Sequence, residues 1–210
     1  MKIDRNFIRR TPVTCVLIAI NVLIMGFMAF ENLSGETNSI MATWAAYTPA
    51  IITEKEYYRL FTPMFLHFGI EHLFNNMLLL LFLGEIIEEK VGAVRYLAIY
   101  LLGGVLGNVL SMALDLRLPD SQMPISAGAS GAVFALIGAM AYLLLINKGR
   151  LAGVTLTRLM ILIVLSAWDG FRNTNIDGAA HIGGLIAGFL LTALLTRREN
   201  ENNVYNGWQG

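Results

Sequence analysis

The sequence is poor in charge and in cysteine, and both shortages narrow the class of protein. Only 14% of its 210 residues are charged and 56% are hydrophobic, which excludes a disordered chain and argues against an ordinary soluble domain. Fifteen basic and fifteen acidic residues cancel, so no basic excess is left to attract nucleic acid. Because Cys15 is the single cysteine, the chain has no intrachain disulfide and no cysteine metal cluster. Cys15 lies in an apolar run, so we expect it to act as a small hydrophobic side chain shielded by lipid. Of the classes considered, the composition fits a membrane protein.

Six apolar runs approach the roughly 20 residues that a helix needs to cross a bilayer core of about 30 Å. Apolar residues lie all round these runs, and glycine, alanine and serine recur in them, as in helices that pack together in lipid. The sequence therefore predicts an all-α polytopic membrane protein, with one six-helix domain over 1–198 and a short polar cytoplasmic tail, expected to be disordered, over 199–210. The predicted spans are about 13–30, 71–89, 94–114, 127–146, 151–168 and 178–196.

Basic residues are distributed unequally between the loops, and this asymmetry predicts the orientation. With the N-terminus in the cytoplasm, eleven of the fifteen Lys and Arg residues are cytoplasmic and four are external. Both termini are then cytoplasmic, and the second, fourth and sixth spans begin at the outer face. The connection over about 31–70 is long, aromatic and partly apolar, so we expect it to lie along the outer interface.

Four polar side chains stand near the beginnings of these three spans, at a similar expected depth. His72 and Asn76 share one face of the second helix, Ser130 begins the fourth, and His181 begins the sixth. Such groups are costly in a membrane and mark either helix packing or a working site. A hydroxyl and an imidazole within about 3 Å can act as nucleophile and general base. His72 and Asn76 could then donate hydrogen bonds to the oxyanion.

Each of these residues alone also has a structural explanation. A serine in a glycine-rich span commonly serves packing, and an intramembrane histidine or asparagine can bridge helices. Asp177, four residues before His181, is interpreted as a helix cap in preference to a third catalytic residue, which favours a Ser–His dyad. Glycines that would let the fourth and sixth helices approach closely are Gly128, Gly131, Gly138, Gly184 and Gly188.

The order of these motifs resembles the rhomboid family of intramembrane serine proteases, from about residue 13 to residue 196. The run 128–131, Gly-Ala-Ser-Gly, resembles the family's Gly-x-Ser-Gly, and His72 with Asn76 resembles its His-x-x-x-Asn oxyanion pair. The residues that resemble its Ala-His-x-x-Gly-x-x-x-Gly are Ala180, His181, Gly184 and Gly188.

Other positions extend the resemblance. Arg59 follows aromatic residues as in the family's first-loop Trp-Arg, although Tyr58 stands where Trp is common. Glu88 resembles the inner end of the family's second helix, and His67 resembles an upstream histidine interpreted as loop-fixing. Phe134 stands where many relatives have a tyrosine that stacks on the catalytic histidine.

The resemblance implies a serine endopeptidase that cleaves single-pass membrane proteins in or near a transmembrane segment, through a Ser130–His181 dyad and an acyl-enzyme. It implies substrate access near the second and fifth helices, no metal or organic cofactor, and a prokaryotic inner membrane location with the site open to the outer side. The alternative is a catalytically inactive relative that binds transmembrane segments, but such relatives usually lack the serine or the histidine. A transporter or channel would need internal repeats and interrupted helices, and the sequence has neither.

Overall fold

The computed structural model describes residues 5–33, 39–163 and 177–203, which are predominantly helical. The helices of this part of the chain are α1 (Arg5–Arg10), α2 (Pro12–Leu33), α3 (Ser39–Trp44), α4 (Thr48–Thr53), α5 (Ile70–Val91), α6 (Ala93–Asp115), α7 (Ser130–Ile146), α8 (156–163) and α9 (Gly178–Asn203). Its strands are β1 (Ala46–Tyr47), β2 (Ile125–Ser126), β3 (Arg150–Leu151) and β4 (Val154–Thr155). Short 3-10 turns cover Tyr57–Leu60, Thr62–Phe65 and Asp120–Gln122.

Helices α2, α5, α6 and α9 are each long and apolar enough to cross a membrane. Their outward faces carry large apolar side chains such as Leu23, Phe27 and Leu194, all more than half exposed, which suits lipid as the surrounding solvent. Helix α7 is shorter, since its 17 residues rise only about 25 Å. These features confirm the predicted class, an all-α polytopic membrane protein.

Helix α7 forms the centre of the bundle and packs against α5, α6 and α9. Its contact with α9 depends on glycine, because a methyl group at Gly138 would collide with the carbonyl oxygen of Leu185. In the same way, a methyl at Gly184 or Gly188 would collide with a backbone carbonyl of α7. The two backbones therefore approach as closely as the glycine pattern predicts.

The junction between α2 and α5 is closed by one buried carboxylate. Glu88, only 2% exposed, accepts hydrogen bonds from the Val13 N–H at 2.9 Å, the Thr14 N–H at 2.8 Å and the Thr14 hydroxyl at 2.8 Å. These two N–H groups belong to the first turn of α2, where no carbonyl of the helix itself is available to them. A negative charge at a helix N-terminus is also favourable. Glu88 thus fixes the start of α2 against the end of α5.

The connection between α2 and α5 is folded back onto the bundle. Strand β1 pairs with β2 in antiparallel register, Ala46 opposite Ser126, so the connection is tied to the segment that leads into α7. Arg59 is buried and donates to the carbonyls of Ala42 at 2.9 Å and Ala45 at 2.8 Å, while its Nε bonds to Glu56 at 2.5 Å. Arg59 therefore holds the connection together.

Two predicted span boundaries are wrong. The fourth span begins at Ser130 and not at 127, because 125–126 pairs with β1 and Gly128 takes a φ of +144°, which helix geometry does not allow. The fifth does not begin at 151, because β3 and β4 form a hairpin whose turn residues, Ala152 and Gly153, both have positive φ. Helix α8 begins only after this hairpin, and residues 164–168 of the predicted span lie outside the described residues.

The last helix runs past its predicted end. Helix α9 continues to Asn203, so the first five residues of the tail predicted over 199–210 are helical. Residues 204–210 lie outside the described residues.

Candidate active site

A cavity of about 500 Å³ lies where α5, α7 and α9 begin. The four polar residues singled out in the sequence, His72, Asn76, Ser130 and His181, all line it. Each of these helices contributes residues from its first two turns, so the fold brings the four side chains to one cavity. The wall on the α5 side includes Leu78, whose side chain is 53% exposed, so the cavity extends toward the outer surface of the bundle.

Ser130 is the first residue of α7, and the two residues before it are held by the loop that precedes α5. The Gly128 N–H donates to the Pro63 carbonyl at 2.9 Å, and the Ala129 N–H donates to His67 Nε2 at 3.4 Å. A side chain at Gly128 would lie 2.7 Å from Cε1 of His72, besides being strained at its positive φ. Glycine at 128 therefore keeps space between Ser130 and His72.

His67 fixes this loop, as its interpretation from the sequence proposes. The residue is 1% exposed, and burial lowers the pKa of its imidazole to about 3, so the ring is neutral and Nε2 can accept the Ala129 N–H. Its ring meets that of His72 edge-on, with 5.1 Å between centroids. His67 does not line the cavity, and its role is to hold the backbone before Ser130.

His181 lies in the first turns of α9 and is 8% exposed. Its ring stacks on Phe134, with centroids 4.0 Å apart and planes 8° from parallel, so Phe134 supplies the aromatic face expected at this position. Nε2 of His181 has no hydrogen-bond partner among the described residues. The hydrogen bond from the Ser130 hydroxyl, which the sequence leads us to expect, is therefore not formed here, although both side chains line the same cavity.

Close helix contacts bring α9 beside the start of α7. A methyl group at Gly131 would lie 3.6 Å from the carbonyl oxygen of Ala180, the residue before His181. On the other side, a methyl at Gly107 of α6 would lie 2.7 Å from the same oxygen. The start of α9 thus needs glycine at 107 of α6, whereas a methyl at 131 of α7 would make only ordinary van der Waals contact with it.

His72 and Asn76 come from one face of α5, one turn apart. One N–H of the Asn76 side-chain amide donates to the His72 carbonyl at 3.0 Å, and the residue is 4% exposed. A primary amide has two N–H donors, so this bond leaves one available. The His72 ring and the second amide N–H are the two side-chain donors that α5 brings to the cavity.

Asp177 precedes α9 and caps it, as interpreted from the sequence. Its Oδ1 accepts the Ala180 N–H at 2.8 Å, while Oδ2 accepts the hydroxyls of Ser111 at 2.5 Å and Ser126 at 2.8 Å. The two serines were missed because they come from α6 and β2, far from Asp177 in sequence. A lone serine in a glycine-rich span gives no signal of such a partner.

Arg59 and Glu88 do not line the cavity, so their roles lie in the connection and at the opposite end of α5. The sequence motifs also did not predict three polar residues in the cavity wall, Glu71, Asn75 and Asn108. Asn108 is explained by its bond to the Leu60 carbonyl at 2.9 Å, which joins α6 to the first 3-10 turn. Glu71 and Asn75 are exposed residues of the first two turns of α5.

The fold and the site together define a helical integral membrane protein in which a serine and a histidine meet at one cavity within the bundle. Residues 54–198 match the family model described as the Rhomboid domain, which is more than half of the chain. The chain belongs to the rhomboid family.

Proteins with rhomboid names are similar to much of the chain. The rhomboid protease GluP of Bacillus subtilis (strain 168) is 37% identical over 183 residues, which are 87% of this chain and 34% of GluP. YdcA of the same organism, also named a rhomboid protease, is 30% identical over 200 residues, 93% of this chain and 94% of YdcA. RHOMBOID-like protein 7 of Arabidopsis thaliana is 36% identical over 178 residues, 81% of this chain and 55% of that protein. The chain thus spans only about a third of GluP but nearly all of YdcA.

Proposed function

We propose that this chain is an intramembrane serine endopeptidase that hydrolyses peptide bonds in or near the transmembrane segments of single-pass membrane proteins. Ser130 is the nucleophile and His181 the general base and acid. The observation that carries the proposal is that both side chains line one cavity of about 500 Å³ in the membrane bundle, with Nε2 of His181 unpaired among the described residues. Membership of the rhomboid family and the protease names of GluP and YdcA support it.

The mechanism first needs the Ser130 hydroxyl to come within hydrogen-bond distance of His181 Nε2. His181 then removes the hydroxyl proton as Oγ attacks the scissile carbonyl carbon. His181 returns the proton to the amide nitrogen as the C–N bond breaks, leaving an acyl-enzyme on Oγ. Water, deprotonated by His181, then attacks the ester carbonyl carbon, and His181 returns the proton to Oγ as the C–Oγ bond breaks, which regenerates Ser130. Stacking on Phe134 keeps the imidazole plane fixed through these steps.

The oxyanion of each tetrahedral intermediate is stabilised by donors already present around the cavity. His72 and the second N–H of Asn76 supply side-chain donors from α5. Ser130 supplies a backbone N–H, because the first amides of α7 have no acceptor within the helix. Donors that face developing charge in a water-poor site are worth more than they would be in water.

Substrates reach this site from the lipid. Leu78 both lines the cavity and faces outward, so a transmembrane segment beside α5 could unwind directly into the site. A small residue at the cleaved bond is what the resemblance to the family implies. We propose that access lies near the second and fifth spans.

The orientation that follows from the basic residues puts the catalytic cavity near the outer face of a prokaryotic inner membrane. Both termini are cytoplasmic, and the starts of α5, α7 and α9 are external. In this orientation Glu88 and the start of α2 lie at the cytoplasmic side. The proposal keeps the six spans expected from the sequence, with α8 as the described part of the fifth.

Cleavage of a single-span substrate by the purified protein tests the proposal. Wild type in detergent should cut, whereas Ser130→Ala and His181→Ala should each lower kcat by about 10³-fold or more, because nucleophile and base act as one unit. Neither side chain bonds to another described residue through its functional group, so both variants should fold. A folded wild type that cuts none of several substrates would favour the inactive, segment-binding alternative. A variant that cuts as well as wild type would contradict the role given to the residue it lacks.

A further inference from the structure

The carboxylate of Asp177 joins three separate parts of the bundle. Oδ1 accepts the Ala180 N–H at 2.8 Å, and Oδ2 accepts the hydroxyls of Ser111 and Ser126 at 2.5 and 2.8 Å. All three partners are donors, which matches the acceptor-only character of a carboxylate. Both oxygens are occupied, and no bond from the His181 imidazole to Asp177 exists among the described residues.

Each partner of Asp177 belongs to a different element of the site. Ala180 is in the first turn of α9 and precedes His181. Ser126 ends β2, four residues before Ser130, and is paired with Ala46 of the long connection. Ser111 is buried near the end of α6. Asp177 therefore links the helix that carries His181 to the segment that leads to Ser130.

Glycine contacts alone do not fix the position of α9 along its own axis. The smooth surfaces at Gly107, Gly131 and Gly184 set how closely α9 approaches α6 and α7. Side-chain packing, such as Tyr142 of α7 against Phe189 of α9, limits sliding of α9 along its axis. Even a slide of about 1 Å can lower an enzyme's rate by about 10²-fold. Hydrogen bonds to fixed partners on two neighbouring elements would prevent that slide.

We propose that Asp177 is a positioning residue that fixes the axial register of His181 against Ser130. It acts through the backbone of α9, as cap and as acceptor for two serine hydroxyls, and not through a charge on the imidazole. The proposal rests on the proposed protease function.

Comparison of Asp177→Asn with Asp177→Ala separates position from charge. Asparagine is as good a cap as aspartate, and its amide can donate to hydroxyls that rotate to accept, so kcat should stay within about threefold of wild type. Alanine loses all three bonds, and kcat should fall about 10- to 100-fold with KM nearly unchanged. If charge were what mattered, asparagine would lose as much kcat as alanine and the acid limb of the pH–rate profile would move, which would overturn the proposal.

The double variant Ser111→Ala with Ser126→Ala tests the same idea with the cap intact, and it decides the case if Asp177→Ala does not fold. It should lower kcat in the same direction, and a folded double variant with wild-type kcat would contradict the proposal. Thr48→Val is the matched control. It removes a hydroxyl-to-carboxylate bond of 2.8 Å to Asp115, the last residue of α6, which does not involve α9. Its kcat should not change.

Labelling of Ser130 by a fluorophosphonate distinguishes failure of the protease function from failure of the positioning role of Asp177. Wild type that is neither labelled nor active would overturn both the protease function and the positioning role. Wild type that is labelled and active, together with an Asp177→Ala variant of equal kcat, would overturn the positioning role alone.

Discussion

Two buried polar sites at opposite ends of α5 differ in whether their hydrogen bonds are complete. Glu88 is 2% exposed and accepts three bonds from the start of α2. His181 is 8% exposed, and its Nε2 has no partner among the described residues. The carboxylate of Glu88 therefore serves the structure alone. Nε2 of His181 can still form a hydrogen bond, as a general base must.

An unpaired buried atom alone does not mark a site of chemistry. Nδ1 of His67 is also buried without a partner among the described residues, at a cost of about 1–3 kcal/mol for such a group. His67 does not line the cavity between α5, α7 and α9. What distinguishes His181 is an unpaired nitrogen, a stacked aromatic ring and a cavity shared with a serine.

Among variants that keep both Ser130 and His181, Asn76→Ala should have the largest effect at the cavity. Loss of one oxyanion donor raises the barrier by about 3 kcal/mol, roughly 10²-fold in kcat, while Ser130 remains labelled by a fluorophosphonate. Single-turnover cleavage measures this loss. Asn75→Ala, the neighbouring residue in the same cavity wall, is the control and should keep kcat near the wild-type value. Loss of folded protein in Asn76→Ala would support the helix-bridging interpretation instead.

Glu88→Ala should show the opposite profile. Two N–H groups and a hydroxyl lose a charged acceptor, so the free energy of unfolding in mixed micelles should fall by about 2 kcal/mol. The folded fraction should still react at Ser130. Glu89→Ala breaks only the exposed pair with Arg10, and should cost less than about 1 kcal/mol. The expected difference between the two ends of α5 would be contradicted if Glu88→Ala were as stable as Glu89→Ala. It would also be contradicted if folded Glu88→Ala lost reactivity at Ser130.

Phe134→Leu should have the smallest effect. It removes a ring stack worth about 1 kcal/mol, so kcat should fall roughly fivefold. Phe134→Tyr keeps the ring and should stay close to wild type. The two variants are compared by kcat at saturating substrate. A leucine variant as fast as wild type would mean that stacking does not hold the imidazole.

Most of the fold could be predicted because a bilayer forces a minimum length on each apolar helix. The same physics could not locate turns within apolar sequence. Leu151 and Val154 are apolar enough to continue a span, yet they pair as strands around a two-residue turn. Gly149 and Gly153, both with positive φ, were the available signal.

In the candidate site, too, some contacts could be predicted from the sequence and others could not. Side chains on one helix, such as His72 and Asn76, can be placed together by spacing alone. The Asp177 cap follows from its position before α9, but its bonds to Ser111 and Ser126 join residues 66 and 51 positions apart. Such contacts are set by tertiary packing, which no local pattern encodes.

Fluorophosphonate labelling, mapped by mass spectrometry, tests the central claim that the open polar site is catalytic. Wild type and the folded fraction of Glu88→Ala should carry the label on Ser130, and Ser130→Ala should carry none. A label on another residue, or equal labelling of Ser130→Ala, would contradict the account.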